Sequence, residues 1–219
     1  MSQKLYSYVL RFDDGAAPNP FWGTCTLTIC KPDIRRKANV GDWVIGTGSK
    51  NSRLKDGNTY DLSDCVVYAM KVTKKLLLAD YDKYCKQHLQ NKIPKWFSRD
   101  FRLRMGDCIY DYSIDSTPIL RKSIHNQDNM SRDLRGQFSL LSKQFYYFGD
   151  EPRPLPQELK NIIRRGQKHL VFDDLATIKK FEEWISKFKK NKCYSQPQLK
   201  FKFDLKSTNK QISKCTSRC

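Results

Sequence analysis

The sequence has no run approaching the roughly 18 apolar residues that a membrane-spanning helix needs, no Cys-x-x-Cys pair among its eight cysteines, and only three histidines. The first absence argues against a helical membrane anchor. The other two remove the closely spaced thiolate and imidazole pairs by which most structural zinc sites announce themselves, so no metal and no cofactor are expected. The opening MSQKLYSYVLRF lacks an apolar segment with a small-residue cleavage site, so the cysteines are read as reduced thiols of a soluble cytoplasmic protein. A complete phosphate loop is missing too. IGTGSK at 45–50 lacks the first glycine and the following apolar helix, which excludes a Walker-type ATPase but leaves open a small anion nest at Gly46, Thr47, Gly48 and Ser49 with Lys50 beside it, or a plain tight turn.

Acidic side chains are scarce: 23 Asp and Glu stand against 41 Lys and Arg, a formal charge of +18 over 219 residues. Such an excess favours polyanionic partners, nucleic acid or nucleotide above all, although a merely Lys-rich surface is the plainer alternative. The charge is bunched, with ten basic and three acidic residues in 71–104 and nine and one in 189–219. With 39% hydrophobic and 12% aromatic residues, the chain can fold around a real core, as one main domain with an appendage.

Alternation predicts strands at 4–12 (KLYSYVLRF) and 24–30 (TCTLTIC), the second with Cys25, Leu27 and Ile29 on one face and Thr24, Thr26, Thr28 and Cys30 on the other. Gly41-Asp42 turns the chain into a strand at Trp43–Gly46, and CVVYAMKVT at 65–73, apolar nearly throughout, reads as central. A helix is expected from near Leu78 until Pro94 stops it. DCIYDY (107–112) and QFYYF (144–148) read as short strands separated by a long polar segment. Asp173 or Asp174 caps an amphipathic helix with Leu175, Ile178, Phe181, Ile185 and Phe188 on one stripe, followed by an edge-like strand at 198–206 and a basic tail. With no helix evident between the first strands, a doubly wound sheet is disfavoured. An α+β fold with a curved, barrel-like sheet, flanking helices and a C-terminal amphipathic helix is expected.

Three constellations could carry chemistry. Asn19, Phe21, Trp22 and Trp43 combine large flat rings with an amide, the chemistry for stacking a base and reading its edge, while Arg11, Lys31, Arg35, Arg36 and Lys50 could hold phosphate. Core filling by the aromatics and an Asx turn at Asn19 are the plainer readings. Cys30, followed by Lys31, Arg35 and Arg36, has the electropositive setting that favours a thiolate nucleophile, against a role as a small core residue. His125, in SIHNQD, is the best acid–base candidate, and Asp13 and Asp14 of RFDDG offer adjacent carboxylates that also suit a turn.

RFDDG at 11–15, APNPFWG at 17–23, CTLTICKPDIRR at 25–36, GDWVIGTGS at 41–49 and VYAMKV at 67–72, with weaker echoes in GDCIYDY at 106–112 and FYYFG at 145–149, resemble the family called nucleotide modification associated domain, type two, of phages and bacteria. The resemblance covers about 5–155 and implies a role with systems that make, recognise or process modified nucleotides. The turn-and-strand order is also similar to PUA-like barrels of the EVE and ASCH groups, which hold an altered base in an aromatic cage. Residues 1–155 are thus expected to form a PUA-like domain, and 156–219 a helix with a basic tail. The preferred functional reading is a module binding a modified base or nucleotide in a DNA-modification or phage-defence setting. Two alternatives are an enzyme processing a modified nucleotide through Asp13, Cys30 or His125, and a protein–protein adaptor using the C-terminal helix.

Overall fold

The computed structural model describes residues 2–54 and 56–198. Its strands are β1 (Leu5–Val9), β2 (Cys25–Leu27), β3 (Trp43–Thr47), β4 (Ser52–Arg53), β5 (Thr59–Tyr60), β6 (Cys65–Lys71), β7 (Lys74–Leu77), β8 (Tyr110–Asp111), β9 (Ile119–Leu120), β10 (Phe138–Ser142), β11 (Gln144–Tyr147), β12 (Arg153–Pro154), β13 (His169–Phe172) and β14 (Lys192–Cys193). The α-helices are α1 (Pro32–Lys37), α2 (Leu78–His88), α3 (Phe101–Arg104), α4 (Gln127–Leu134) and α5 (Leu175–Ile185). None is long and apolar enough to cross a membrane among the described residues.

β6 is apolar from Cys65 to Met70 and buried from Val66 to Met70, lying between β3 and β11 and antiparallel to each. The main sheet runs β13-β1-β3-β6-β11-β14, with β12 also on β6. β1 and β3 are parallel neighbours, which requires a crossover. That crossover passes through β2 and α1, so a helix does lie between the first strands. PDIRRK is too short for helical periodicity to register, and its sign is Pro32 in the first turn, where a missing N–H costs nothing.

β2 is shorter than the TCTLTIC alternation implies. Pairing stops at Leu27, and Cys30 and Lys31 adopt left-handed backbone conformations, with φ of 57° and 40°, which a strand cannot contain. β2 joins β10 and β7 in a separate three-stranded sheet. Since β6 leads almost directly into β7, and β10 into β11, one bent antiparallel ladder contributes to both sheets. The result is a mixed α+β fold whose sheets stay open. The expected closed, PUA-like barrel is not formed among the described residues, because β2 has β10 as its only strand partner and the main sheet ends on β13 and β14 without joining them.

One core lies around the bend, with Tyr8, Leu27, Val67, Leu140 and Phe145. A second lies beneath α5, which Asp174 caps by accepting from the Ala176 and Thr177 amides, and which buries Ile178, Phe181 and Ile185 against Trp43 and Tyr146. A third gathers Phe21, Ile29, Met105, Ile109, Tyr110 and Ile124. Residues beyond 155 supply both edge strands of the main sheet. The expected strand at 198–206 and the basic tail lie outside the described residues, apart from Gln198.

Candidate functional site

The third core ends in a polar corner. Ile29 and Ile124 anchor the chain immediately before Cys30 and His125, and the two side chains that follow face each other, with Cys30 Sγ 3.6 Å from His125 Nε2. His125 Nδ1 lies 2.5 Å from Asp133 Oδ2. A buried carboxylate accepts, so the proton between them sits on Nδ1 and Nε2 is directed at the sulfur. Asp133 is held from three sides: its Oδ1 accepts the Cys30 backbone N–H at 2.8 Å and its Oδ2 the Tyr110 hydroxyl at 3.0 Å. Burial would push the Asp133 carboxyl up, but the hydrogen bond and charge of His125, the Arg35 charge and the Cys30 amide outweigh it and hold the group below its ordinary value. Cys30 and His125 are 7% and 8% exposed and Asp133 1%, so the carboxylate end of the relay is the most deeply buried.

The local sequence explains how these residues meet. Asn126 caps α4 in a reciprocal box with Asn129, which sets His125 just outside the first turn and Asp133 on the buried face near the last. Cys30 occupies the left-handed turn between β2 and α1. Arg35, fully buried on α1, locks the turn to its surroundings. Its Nε donates to the Cys30 carbonyl at 2.7 Å, Nη2 to the Asp133 carbonyl at 2.5 Å and Nη1 to the Phe138 carbonyl at 2.9 Å. Gly136 permits this, since a Cβ there would overlap the guanidinium. Cysteine, imidazole and carboxylate in this order form the arrangement that activates a thiol for nucleophilic attack. Among the described residues no group of three or more His, Cys, Asp or Glu is suited to hold a metal ion.

The structure therefore joins two of the sequence-derived candidates, Cys30 and His125, and adds Asp133, from the polar segment, and Tyr110, from the expected strand at 107–112. Asp13 lies elsewhere, buried, with both carboxylate oxygens 2.7 Å from the Tyr147 hydroxyl, and burial pushes its pKa up to about 7. Asp14 accepts the Ala16 amide in a local turn. Asn19 is fully buried; its Oδ1 accepts from Lys92 and the Phe21 amide, and its Nδ2 donates to the Met105 carbonyl.

The aromatic candidates do not converge. Phe21 packs edge-on against Phe101, Trp22 lies under the Arg102 guanidinium, and Trp43 is buried in the second core between Tyr146 and Phe181, donating from Nε1 to Glu182. Gly46 and Thr47 belong to β3, where Gly46 fits against the Tyr68 ring; Gly48 fits against Leu62, and the Ser49 amide donates to Ser52. Of the basic candidates, Arg35 points inward, Lys31 sits over the Tyr8 ring at 4.6 Å, Arg36 pairs with Asp33, and Arg11 and Lys50 are exposed.

A family model described as nucleotide modification associated domain 2 matches residues 2–205. The match runs well past residues 5–155, the span of the sequence motifs, and it takes in Cys30, His125, Asp133 and α5 alike. No curated protein and no solved structure matches the chain. On a match of that extent, the chain belongs to the nucleotide modification associated domain 2 family, and its role lies in a nucleotide-modification context.

Proposed function

We propose that this protein is a thiol-dependent acyl-transfer enzyme acting on a nucleotide or base that carries an amide- or ester-linked group. The observation that carries this reading is the continuous contact from Cys30 Sγ through His125 to Asp133. In the forward step His125 Nε2 takes the Cys30 proton as the sulfur attacks the acyl carbon. Asp133 keeps the ring oriented and stabilises the imidazolium. As the tetrahedral intermediate collapses, the bond to the leaving amine or alcohol breaks and His125 returns the proton to it, leaving a thioester on Cys30. Water then attacks the thioester, giving up its proton through His125, and releases the acid and the free thiol.

Recognition of an altered base enters this reading as the binding step. Trp22 supports it: half-buried, it packs against the core that carries Tyr110 and the residues preceding Cys30 and His125, Ile29 and Ile124. The test is to incubate the full chain with nucleotides bearing amide-linked base substituents and follow products by mass spectrometry. The wild type releases the substituent, and Cys30→Ala lowers the rate by about 10³-fold or more. Turnover by Cys30→Ala at the wild-type rate would overturn the assignment.

A further inference from the structure

A cleft of about 390 Å³ opens at the C-terminal end of α1, lined by Lys4, Tyr6, Lys37, Asn39, Val40 and Lys71 among others. Cys30 precedes the opposite end of that helix, so cleft and thiol are separate sites. The negative groups at the cleft are already engaged. Both Asp42 oxygens accept backbone amides, from Lys4 and Asn39, each at 2.8 Å. Glu182 accepts from Lys71 at 2.9 Å, Trp43 at 2.8 Å and Gln3 at 3.1 Å. At the rim, Lys75 donates to the Arg36 carbonyl at 2.9 Å, offsetting the negative end of α1.

Two cations are left over. The ammonium groups of Lys4 and Lys37 have no hydrogen-bond or ion-pair partner among the described residues. The neighbouring His169, whose ring lies 6.0 Å from that of Tyr6, feels the excess: burial first, then the Lys37 charge, hold its imidazole below the ordinary value against the opposing pull of Asp33. Val40, 62% exposed, gives the mouth an apolar lip.

We propose that this cleft binds the phosphate of a nucleotide, with Lys4 and Lys37 as its holders. The volume falls within the several-hundred-Å³ range of small-ligand pockets, and two unpaired lysines lining a cleft whose carboxylates are satisfied select for an anion. The phosphate belongs to a free nucleotide or to a strand, and the same experiment separates the two.

The full chain is titrated calorimetrically at low salt with 5′-dTMP, thymidine and a short oligothymidylate. Binding of dTMP but not thymidine identifies a free-nucleotide site, and binding of the oligomer without dTMP identifies a strand site. In either case affinity falls with salt, and falls about tenfold or more in the Lys4→Glu/Lys37→Glu variant. Lys37→Glu alone, at an exposed position, repeats the loss in part should the double variant melt early. Cys30→Ala binds like the wild type, which distinguishes failure of this site from failure of the thiol assignment. No phosphate-dependent binding, or unchanged affinity in folded Lys37→Glu and the double variant, overturns the proposal.

Discussion

At Cys30 the backbone and the side chain are held by different partners: Asp133 and Arg35 grip the amide and carbonyl, while the sulfur meets His125. This separation gives a residue-scale prediction. Asp133→Asn removes the carboxylate that stabilises the imidazolium and disturbs the imidazole's tautomer, so it lowers kcat by about 10³–10⁴-fold with little change in KM, as followed by initial rates on a substituted nucleotide. Asp13 makes a second, independent prediction, on stability. Its raised value near 7, against an ordinary 3.8, means that the folded state keeps a proton which the unfolded chain has lost. The stability it confers is therefore present below about pH 4 and declines as pH rises toward 7. Asp13→Asn keeps an acceptor for Tyr147 and abolishes that slope. Unfolding free energies of variant and wild type, from urea titrations, should agree near pH 4 and diverge by pH 7 in the variant's favour, the gap reaching on the order of a few kcal/mol. Cys30 and His125 were visible in the sequence because a thiol beside a basic run and a histidine in a polar segment are chemically conspicuous. Asp133 was not, being one acid among several, and only its contacts set it apart.

At the scale of elements, α1 and α4 are short helices whose value lies in what they hold. Arg35 bridges the Cys30 turn, the end of α4 and the start of β10, so Arg35→Met removes the guanidinium donors from three carbonyls, of which that of Asp133 keeps the Gly136 amide, and should cost about 3 kcal/mol or more in urea unfolding. Gly136→Ala tests the same clamp more gently. The added methyl displaces the guanidinium, and the expected result is about 1–3 kcal/mol of lost stability together with slower alkylation of Cys30 by iodoacetamide. Both helices escaped the pattern reading for physical reasons. Six residues of PDIRRK make fewer than two turns, and QDNMSRDL buries Asn129 and Asp133 rather than an apolar stripe. The Asn126-x-x-Asn129 cap was the available signal. Longer or more apolar elements were legible: CVVYAMK as the central strand, the helix after Leu77, and the cap at Asp174 that starts α5.

For the molecule as a whole, the segment after 155 is built into the main sheet. β13 pairs with β1, β14 with β11, and Phe181 packs edge-on against Trp43 at 5.3 Å. Truncation after Leu155 should therefore abolish cooperative unfolding instead of releasing an independent domain, and Phe181→Ala in the full chain should cost about 3–5 kcal/mol. Ile178, Phe181 and Ile185 of the α5 stripe are taken up by this packing, while Leu175 at its start stays 61% exposed. What the sequence by itself determined was local or additive: the cationic excess, the α+β alternation of elements, the strands dense in β-branched and aromatic residues, and the family. What only the tertiary structure decided was convergence. It placed Cys30 beside a histidine 95 residues away, kept the sheet open, and put Trp43 in a different core from Phe21 and Trp22. Contacts between distant residues depend on the register of the strands and the direction of short turns, and neither is encoded in the period or composition of any one segment.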